Sequence, residues 1–245
     1  MKSLGIIGFG QFGQLAAQHL KSHFEVHVSD VSEDVRQGAD VAGISFGAIA
    51  DAAACDIVLV AVPVRAMRAV FTAIGTDLKP GALVIDVGSV KMLPSQWMLE
   101  ILPTHVDIVA THPLFGPQSA RNGLEGLRLV VCPIRGARAD CVAAFGQSLG
   151  LIVNVTTPEE HDREMAYVQA LTHLIGRSLV NLDIPDEQMK TTSYQHLLDL
   201  CGLVGGDSFE LFTAIQTQNP FAAEIVEAFV AEARDLLDKL NRDQD

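Results

Sequence analysis

The chain is short of positive charge. Lysine and arginine together number 17 against 30 aspartates and glutamates, which leaves a net charge of −13 and an isoelectric point near 4.9. Such a field repels phosphate backbones and anionic lipid, so nucleic acid and membrane surfaces are excluded as main partners. An anionic substrate would need a locally basic pocket. Cysteine is scarce as well. Cys55, Cys132, Cys141 and Cys201 are scattered with no Cys-x-x-Cys pair, which argues against a zinc site and leaves reduced, buried thiols of a cytoplasmic protein as the expectation. No apolar run reaches the roughly 20 residues of a membrane helix. No basic start leads into an apolar run, so no secretory leader is expected. What remains is 245 residues with 49% hydrophobic content, enough for one large domain or two small ones without staples.

The hydrophobic pattern divides the chain. The stretches "SLGIIGFG", "FEVHVSD", "DIVLVAVP", "ALVIDVGS", "VDIVATHP", "LRLVVCP" and "LIVNVT" are apolar throughout, and helical patterns such as "QLAAQHLKSH" and "VRAMRAVFTAIGTDL" separate several of them. Strands of this kind, covered on both faces, predict an α/β fold with a doubly wound, Rossmann-type parallel sheet. Near Thr157 the character changes. Thr157, Pro158 and Glu160 spell an N-cap, a first helical position and a capping box, and Met165, Val168, Thr172, Ile175 and Leu179 follow at helical spacing. Asn219 and Pro220 repeat the device ahead of Ile225, Phe229, Ala233, Leu236 and Leu240. The expectation is a dinucleotide-binding domain over 1–155 and an all-helical domain over 156–245. The helical part is short for a core of its own, so its stripes are expected to dock on a second copy, as a homodimer.

Gly8, Gly10 and Gly13 form G-x-G-x-x-G between the first strand and the first helix. The first glycine suits a tight turn, the second lets a pyrophosphate reach the backbone, and the third lets helix and strand pack closely. The helix N-terminus then offers N–H groups and partial positive charge. Gln11 and Phe12 inside the loop, with Val62 and Pro63 after the third apolar stretch, complete the expected cofactor contacts. Asp30 ends the second strand, where a carboxylate accepts from ribose hydroxyls and repels a 2′-phosphate. No arginine follows it at once, so NAD is favoured over NADP. No metal site is expected.

His112 falls at a strand end, where ligands of such sheets bind. Its surroundings carry a family signature. "DVGSVK" (Asp86 to Lys91), "THPLFGP" (Thr111 to Pro117) and "EHDREMAYVQALTHL" (Glu160 to Leu174), in that order, closely resemble the prephenate/arogenate dehydrogenase family, nearest to the branch fused to chorismate mutase in enteric bacteria. The resemblance implies NAD-dependent oxidative decarboxylation of a prephenate-like cyclohexadienol in tyrosine biosynthesis. It assigns proton uptake to His112, a task that suits neutral imidazole near pH 7. It sets Ser89 near the substrate hydroxyl and the nicotinamide, while the residue's own pattern also fits a helix N-cap. Lys91 is expected either to assist an anionic substrate or to be a solvated charge. Gln169 and His173, at i and i+4 on the first long helix, match positions facing the substrate. His161 and Asp162 match as well, and could equally hold the helix N-terminus.

One departure stands out. Related enzymes carry a carboxylate-binding arginine just before an Asn-Pro pair, where this chain has Ala214, and an upstream arginine falls near Gly206. The segment from Cys201 to Gln218 holds no lysine or arginine. Arg177, Lys190, Arg163 or a residue of a partner chain could substitute. Prephenate is the first choice of substrate, arogenate the second and 4-amino-4-deoxyprephenate the third. Two rivals remain: a β-hydroxyacid dehydrogenase, for which Lys190 would have to be catalytic, and a catalytically silent NAD-binding dimer.

Overall fold

The structure is a computed structural model that describes residues 1–242, with the backbone alone described at Glu33 and Val41. It divides into two compact units, Met1–His161 and the residues from Asp162 onward. His161, whose ring packs on that of His112, belongs to the first unit.

The first unit is one eight-stranded sheet, β1 (Ser3–Ile7), β2 (Glu25–Ser29), β3 (Ser45–Phe46), β4 (Ile57–Val60), β5 (Leu83–Asp86), β6 (Asp107–Pro113), β7 (Arg128–Arg135) and β8 (Ile152–Val155), in the order β3-β2-β1-β4-β5-β6-β7-β8. The ladders are parallel, with Ile6 opposite both Val28 and Leu59, except that β7 runs antiparallel to β6. The reason is local: turns alone, with no crossover helix, fill the chain between these strands, so β7 returns from the end where β6 stopped. The two-residue β3 is too short for its periodicity to be read. The helices of this unit are α1 (Gln11–Leu20), α2 (Arg36–Ala42), α3 (Ile49–Ala53), α4 (Val64–Ile74), α5 (Met92–Ile101) and α6 (Ala139–Ser148). In α4 the spacing of Val64, Met67, Phe71 and Ile74 puts all four on one buried face. Each contributes about 1.5–3 kcal/mol as a fully buried side chain. The order reverses direction between β1 and β4, which opens a crevice at the carboxyl ends of the strands.

α7 (Pro158–Met165) leads into the second unit, which continues through a π turn (Ala166–Leu171), α8 (Thr172–Asn181), α9 (Thr192–Val204), α10 (Phe209–Gln218) and α11 (Ala222–Arg242). The capping box is built as its residues suggest. Thr157 Oγ1 accepts from the Glu160 N–H at 3.2 Å and Glu160 Oε2 accepts from the Thr157 N–H at 3.3 Å. Asn219 Oδ1 accepts from the Phe221 N–H at 2.9 Å, and its Nδ2 donates to the Asp162 carbonyl at 2.7 Å. The stripe after α7 departs from expectation. The π turn widens the helix there, so Val168 is 59% exposed while Ala166 and Ala170 are buried. Ala170 packs with Ile215 and Ala222 in a small core. Phe229, Leu236 and Leu240 of α11 are exposed.

The cysteines are all free, but only Cys55 and Cys132 are buried. Cys141 is exposed and Cys201 half-buried. Burial pushes the Cys55 thiol above its ordinary range. Among the described residues, no helix is long and apolar enough to cross a membrane.

Candidate active site

The crevice is a cleft of about 720 Å3 lined by Gly8 and Gly10 beyond β1, Asp30 beyond β2, and Val62 and Pro63 beyond β4. The three glycines of the loop answer to different demands. Gly8 has φ +98°, which a side chain resists, and a Cβ there would lie 2.5 Å from the Ala61 carbonyl oxygen. A Cβ on Gly13 would lie 2.0 Å from the Gly8 carbonyl oxygen, so α1 can seat on β1 only with glycine. At Gly10 a Cβ would meet nothing within 4 Å. The protein itself does not require glycine there. The open space over a helix N-terminus fits a pyrophosphate laid against the backbone.

Asp30 is tied to this loop. Its carboxylate accepts from the Phe9 N–H at 2.6 Å and the Ser32 N–H at 2.8 Å, which fixes the loop and leaves further lone pairs for ribose hydroxyls. Three side chains depart from the expected lining. Phe12 does not line this cleft. Its ring lies 6.3 Å from that of Phe115 and borders a separate apolar cavity on the α1 face of the sheet, so a contact to cofactor would come from its backbone. Gln11, exposed in the first turn of α1, is likewise absent from the lining. Arg36, which the sequence reading passed over, does line the cleft, with its guanidinium 5.3 Å above the Phe46 ring. It begins α2, beyond the positions directly after Asp30.

At the carboxyl ends of β5 and β6 lies a second cluster. Lys91 is 0% exposed and donates to Asp86 Oδ2 and to the Thr111 carbonyl. Asp86 Oδ2 also accepts from the Gly88 N–H at 2.9 Å, and Thr111 Oγ1 donates to the Asp86 carbonyl at 2.6 Å. This corrects the reading of Lys91 as a solvated charge. It is not solvated: its ammonium neutralises Asp86 and braces the residue before His112. Ser89 is not an N-cap either. α5 starts at Met92, with Lys91 at the cap position, and the buried Ser89 Oγ has no hydrogen-bond partner. An orphaned hydroxyl of this kind costs about 1–3 kcal/mol unless a ligand satisfies it. His112 is 4% exposed and His161 2%. His112 Nδ1 and His161 Nε2 are 2.8 Å apart. The Ser89 hydroxyl and the His112 imidazole are thus both buried near the ends of β5 and β6.

The helical unit holds the remaining candidates. Half-buried Gln169 sits in the π turn, so the wider turn replaces the regular i,i+4 relation expected between it and His173. The turn is supported by Gln216, whose Nε2 donates to the Ala170 carbonyl at 2.8 Å, and such turns concentrate at functional sites. His173 Nδ1 lies 3.7 Å from Asp207. Burial holds its imidazole below the ordinary range; Asp207 opposes this and Arg177 adds to it. Arg177 donates to the Asp207 carbonyl at 2.7 Å and lies 5.8 Å from the Phe212 ring. Arg163 lies over Phe221 at 4.3 Å, and Lys190 is paired with Asp186. Ala214 is buried. Of the three proposed substitutes for the missing arginine, Arg177 alone shares a cluster with His173. Among the described residues no group of His, Cys, Asp or Glu could hold a metal ion.

Comparison with known proteins agrees with this construction. Residues 15–154 match the family described as prephenate dehydrogenase, nucleotide-binding domain, and residues 178–245 match that described as TYRAAT1-like, C-terminal domain. The chain is 29% identical to arogenate dehydrogenase 1 of Arabidopsis thaliana, covering 92% of this chain and 37% of that protein. It is 30% identical to the probable arogenate/prephenate dehydrogenase of Methanocaldococcus jannaschii, covering 94% and 54%. The chain therefore spans about a third to a half of these relatives' lengths. The fold matches the prephenate dehydrogenase of A. aeolicus, solved with hydroxyphenyl propionate and NAD+, at a TM-score of 0.79 and 21% identity, covering 100% of this chain and 92% of that one. With its glycine cleft, its histidine at the end of β6 and a family match over most of the sheet unit, the chain belongs to the prephenate/arogenate dehydrogenase family.

Proposed function

We propose that this protein oxidises and decarboxylates a prephenate-like cyclohexadienol. The observation that carries this is the buried pair of acceptors at the ends of β5 and β6: an unpartnered Ser89 hydroxyl and the imidazole of His112. Bound in the glycine cleft, the nicotinamide cofactor supplies a hydride acceptor. His112 takes the proton of the substrate's C4 hydroxyl as the C4–H bond breaks, leaving a ketone. Ser89 orients that hydroxyl. The ring carboxylate then leaves as CO2, and its bonding electrons flow into the ring, which becomes an aromatic phenol on taking up a proton.

Prephenate is the first substrate, with arogenate second and 4-amino-4-deoxyprephenate third. Gln169 and His173 are proposed substrate contacts, and Arg177, beside His173 and Asp207, is the proposed partner of a substrate carboxylate. NAD is the proposed cofactor on the strength of Asp30. Arg36 in the cleft lining supports NADP as a second reading, since a guanidinium there suits a 2′-phosphate. The exposed Phe229, Leu236 and Leu240 of α11 support the proposed homodimer, which light scattering at micromolar protein tests; a monomeric mass contradicts it. A cytoplasmic location goes with this reading. The assay that tests the function is cofactor reduction by the purified protein with the three substrates side by side and with both cofactors. Turnover of one of them is expected. No turnover by folded, NAD-binding protein would replace this reading with that of a silent NAD-binding dimer.

A further inference from the structure

We infer that His161 is a positioning residue that fixes the tautomer and the orientation of His112, an inference that rests on His112 being the proton acceptor. The geometry is specific. Two imidazoles, both almost fully buried, meet through His112 Nδ1 and His161 Nε2 at 2.8 Å, with ring centroids 5.0 Å apart and planes inclined at 65°. One proton lies between those two nitrogens, and its owner decides the chemistry. If His161 donates it, neutral His112 carries its remaining proton on Nε2, and that edge cannot accept from a substrate hydroxyl. If His112 Nδ1 donates it, the neutral ring carries its lone pair on Nε2, the edge that can accept a proton. Proton uptake by His112 therefore requires His161 Nε2 to be the acceptor and His161 to hold its own proton on Nδ1.

The fold places His161 for this duty. It sits in the first turn of α7, held by the Thr157–Glu160 capping box and by its own N–H, which donates to the Thr157 carbonyl at 3.0 Å. His112 is braced from the other side, since the carbonyl of Thr111 accepts from Lys91. His161 Nε2 also stabilises the imidazolium that forms when His112 takes a proton, because a charged donor makes the stronger hydrogen bond. The pair is carried by β6, whose further titratable group is Asp107, and by α7, which adds Glu159, Glu160, Asp162, Arg163 and Glu164, while Asp86 and Lys91 lie at the end of the neighbouring β5.

The test uses the full chain, prephenate and NAD. His161→Leu removes the acceptor, and His161→Gln keeps an acceptor oxygen. His161→Leu is expected to lower kcat/KM about 10- to 100-fold, the weight of one hydrogen bond to a charged group, with NAD affinity unchanged. The acid limb of its kcat/KM profile should move to lower pH, because an imidazolium without its acceptor is less stable. His161→Gln should regain most of the rate and return the limb toward its original place. A Leu variant with normal rate and an unmoved limb overturns the inference, as does equal loss in Leu and Gln with the limb unmoved. Nitrogen NMR of ring-labelled wild-type protein is a second measurement that needs no variant: a proton on His112 Nδ1 is expected, and one on His112 Nε2 in the neutral ring overturns the inference. A His112→Ala control separates the two failures. Normal turnover there removes the proton-acceptor role and the inference with it. An inactive His112→Ala beside a normal His161→Leu removes the inference alone.

Discussion

The two units spend buried polarity differently. In the sheet unit Asp86, Ser89, Lys91, Thr111, His112 and His161 are all buried near the ends of β5 and β6, and most of them are held by named hydrogen bonds. Among the described residues of the helical unit the buried polar ones are Asp162 and Asn219, which join each other, while Arg177, His173 and Asp207 remain partly open. Apolar surface runs the other way. Most large exposed hydrophobic side chains, among them Phe209, Phe229, Leu236, Leu237 and Leu240, belong to the helical unit. A buried polar network is stable only when its members are satisfied and rigid, which suits a site that must hold reacting atoms in place. An open apolar helix face suits a surface that a second copy completes.

Breaking the sheet network should have the largest effect. Lys91→Met leaves Asp86 buried and unpaired, so unfolding by urea should show a loss of about 3–5 kcal/mol. Adding Asp86→Asn to it should recover part of that loss, and simple additivity of the two changes would contradict the pairing. The glycine loop sharpens the contrast within one unit. Gly13→Ala forces a Cβ against the Gly8 carbonyl and should destabilise by about 1–3 kcal/mol. Gly10→Ala should leave stability nearly intact and weaken NAD binding, read by titration of the folded protein.

The helical unit should respond in binding rather than in folding. Arg177→Ala should raise KM about 10- to 100-fold, the worth of a charge-assisted hydrogen bond, with little change in NAD affinity; an unchanged KM would move the carboxylate-binding role elsewhere. The smallest effect is a pH dependence. Burial depresses the His173 pKa from its ordinary value of 6.5, so the native state resists a proton that the unfolded state accepts. Stability from this group is present above that value and is lost as pH falls below it toward the folded value. His173→Gln should flatten the fall in urea-unfolding stability over that window.

Much of the sheet unit was legible because its signals are local. Strand runs, the glycine loop, the capping box at Thr157 and the Asn219 cap each lie within a few residues of sequence. His112 was legible through its surrounding motif. What escaped were partnerships set by tertiary packing. Nothing near Lys91 announces that its charge is cancelled by Asp86 under the sheet end. Nothing near Ser89 says that the helix starts too late for it to cap. The π turn is hidden because regular periodicity assumes an uninterrupted α-helix, which puts Val168 on a buried stripe it does not join. Arg36 carries no local signal, because it lies six residues after Asp30 and the chain turns it back into the cleft only from the start of α2.

The central claim is that the buried end of β6 carries the proton transfer and the glycine cleft carries the cofactor, as separable functions. The direct measurement is prephenate-dependent NAD reduction by His112→Ala beside the unmutated chain, with NAD affinity determined for both. The account predicts kcat reduced by about 10²- to 10⁴-fold at unchanged NAD affinity. Near-normal kcat in the variant would contradict it.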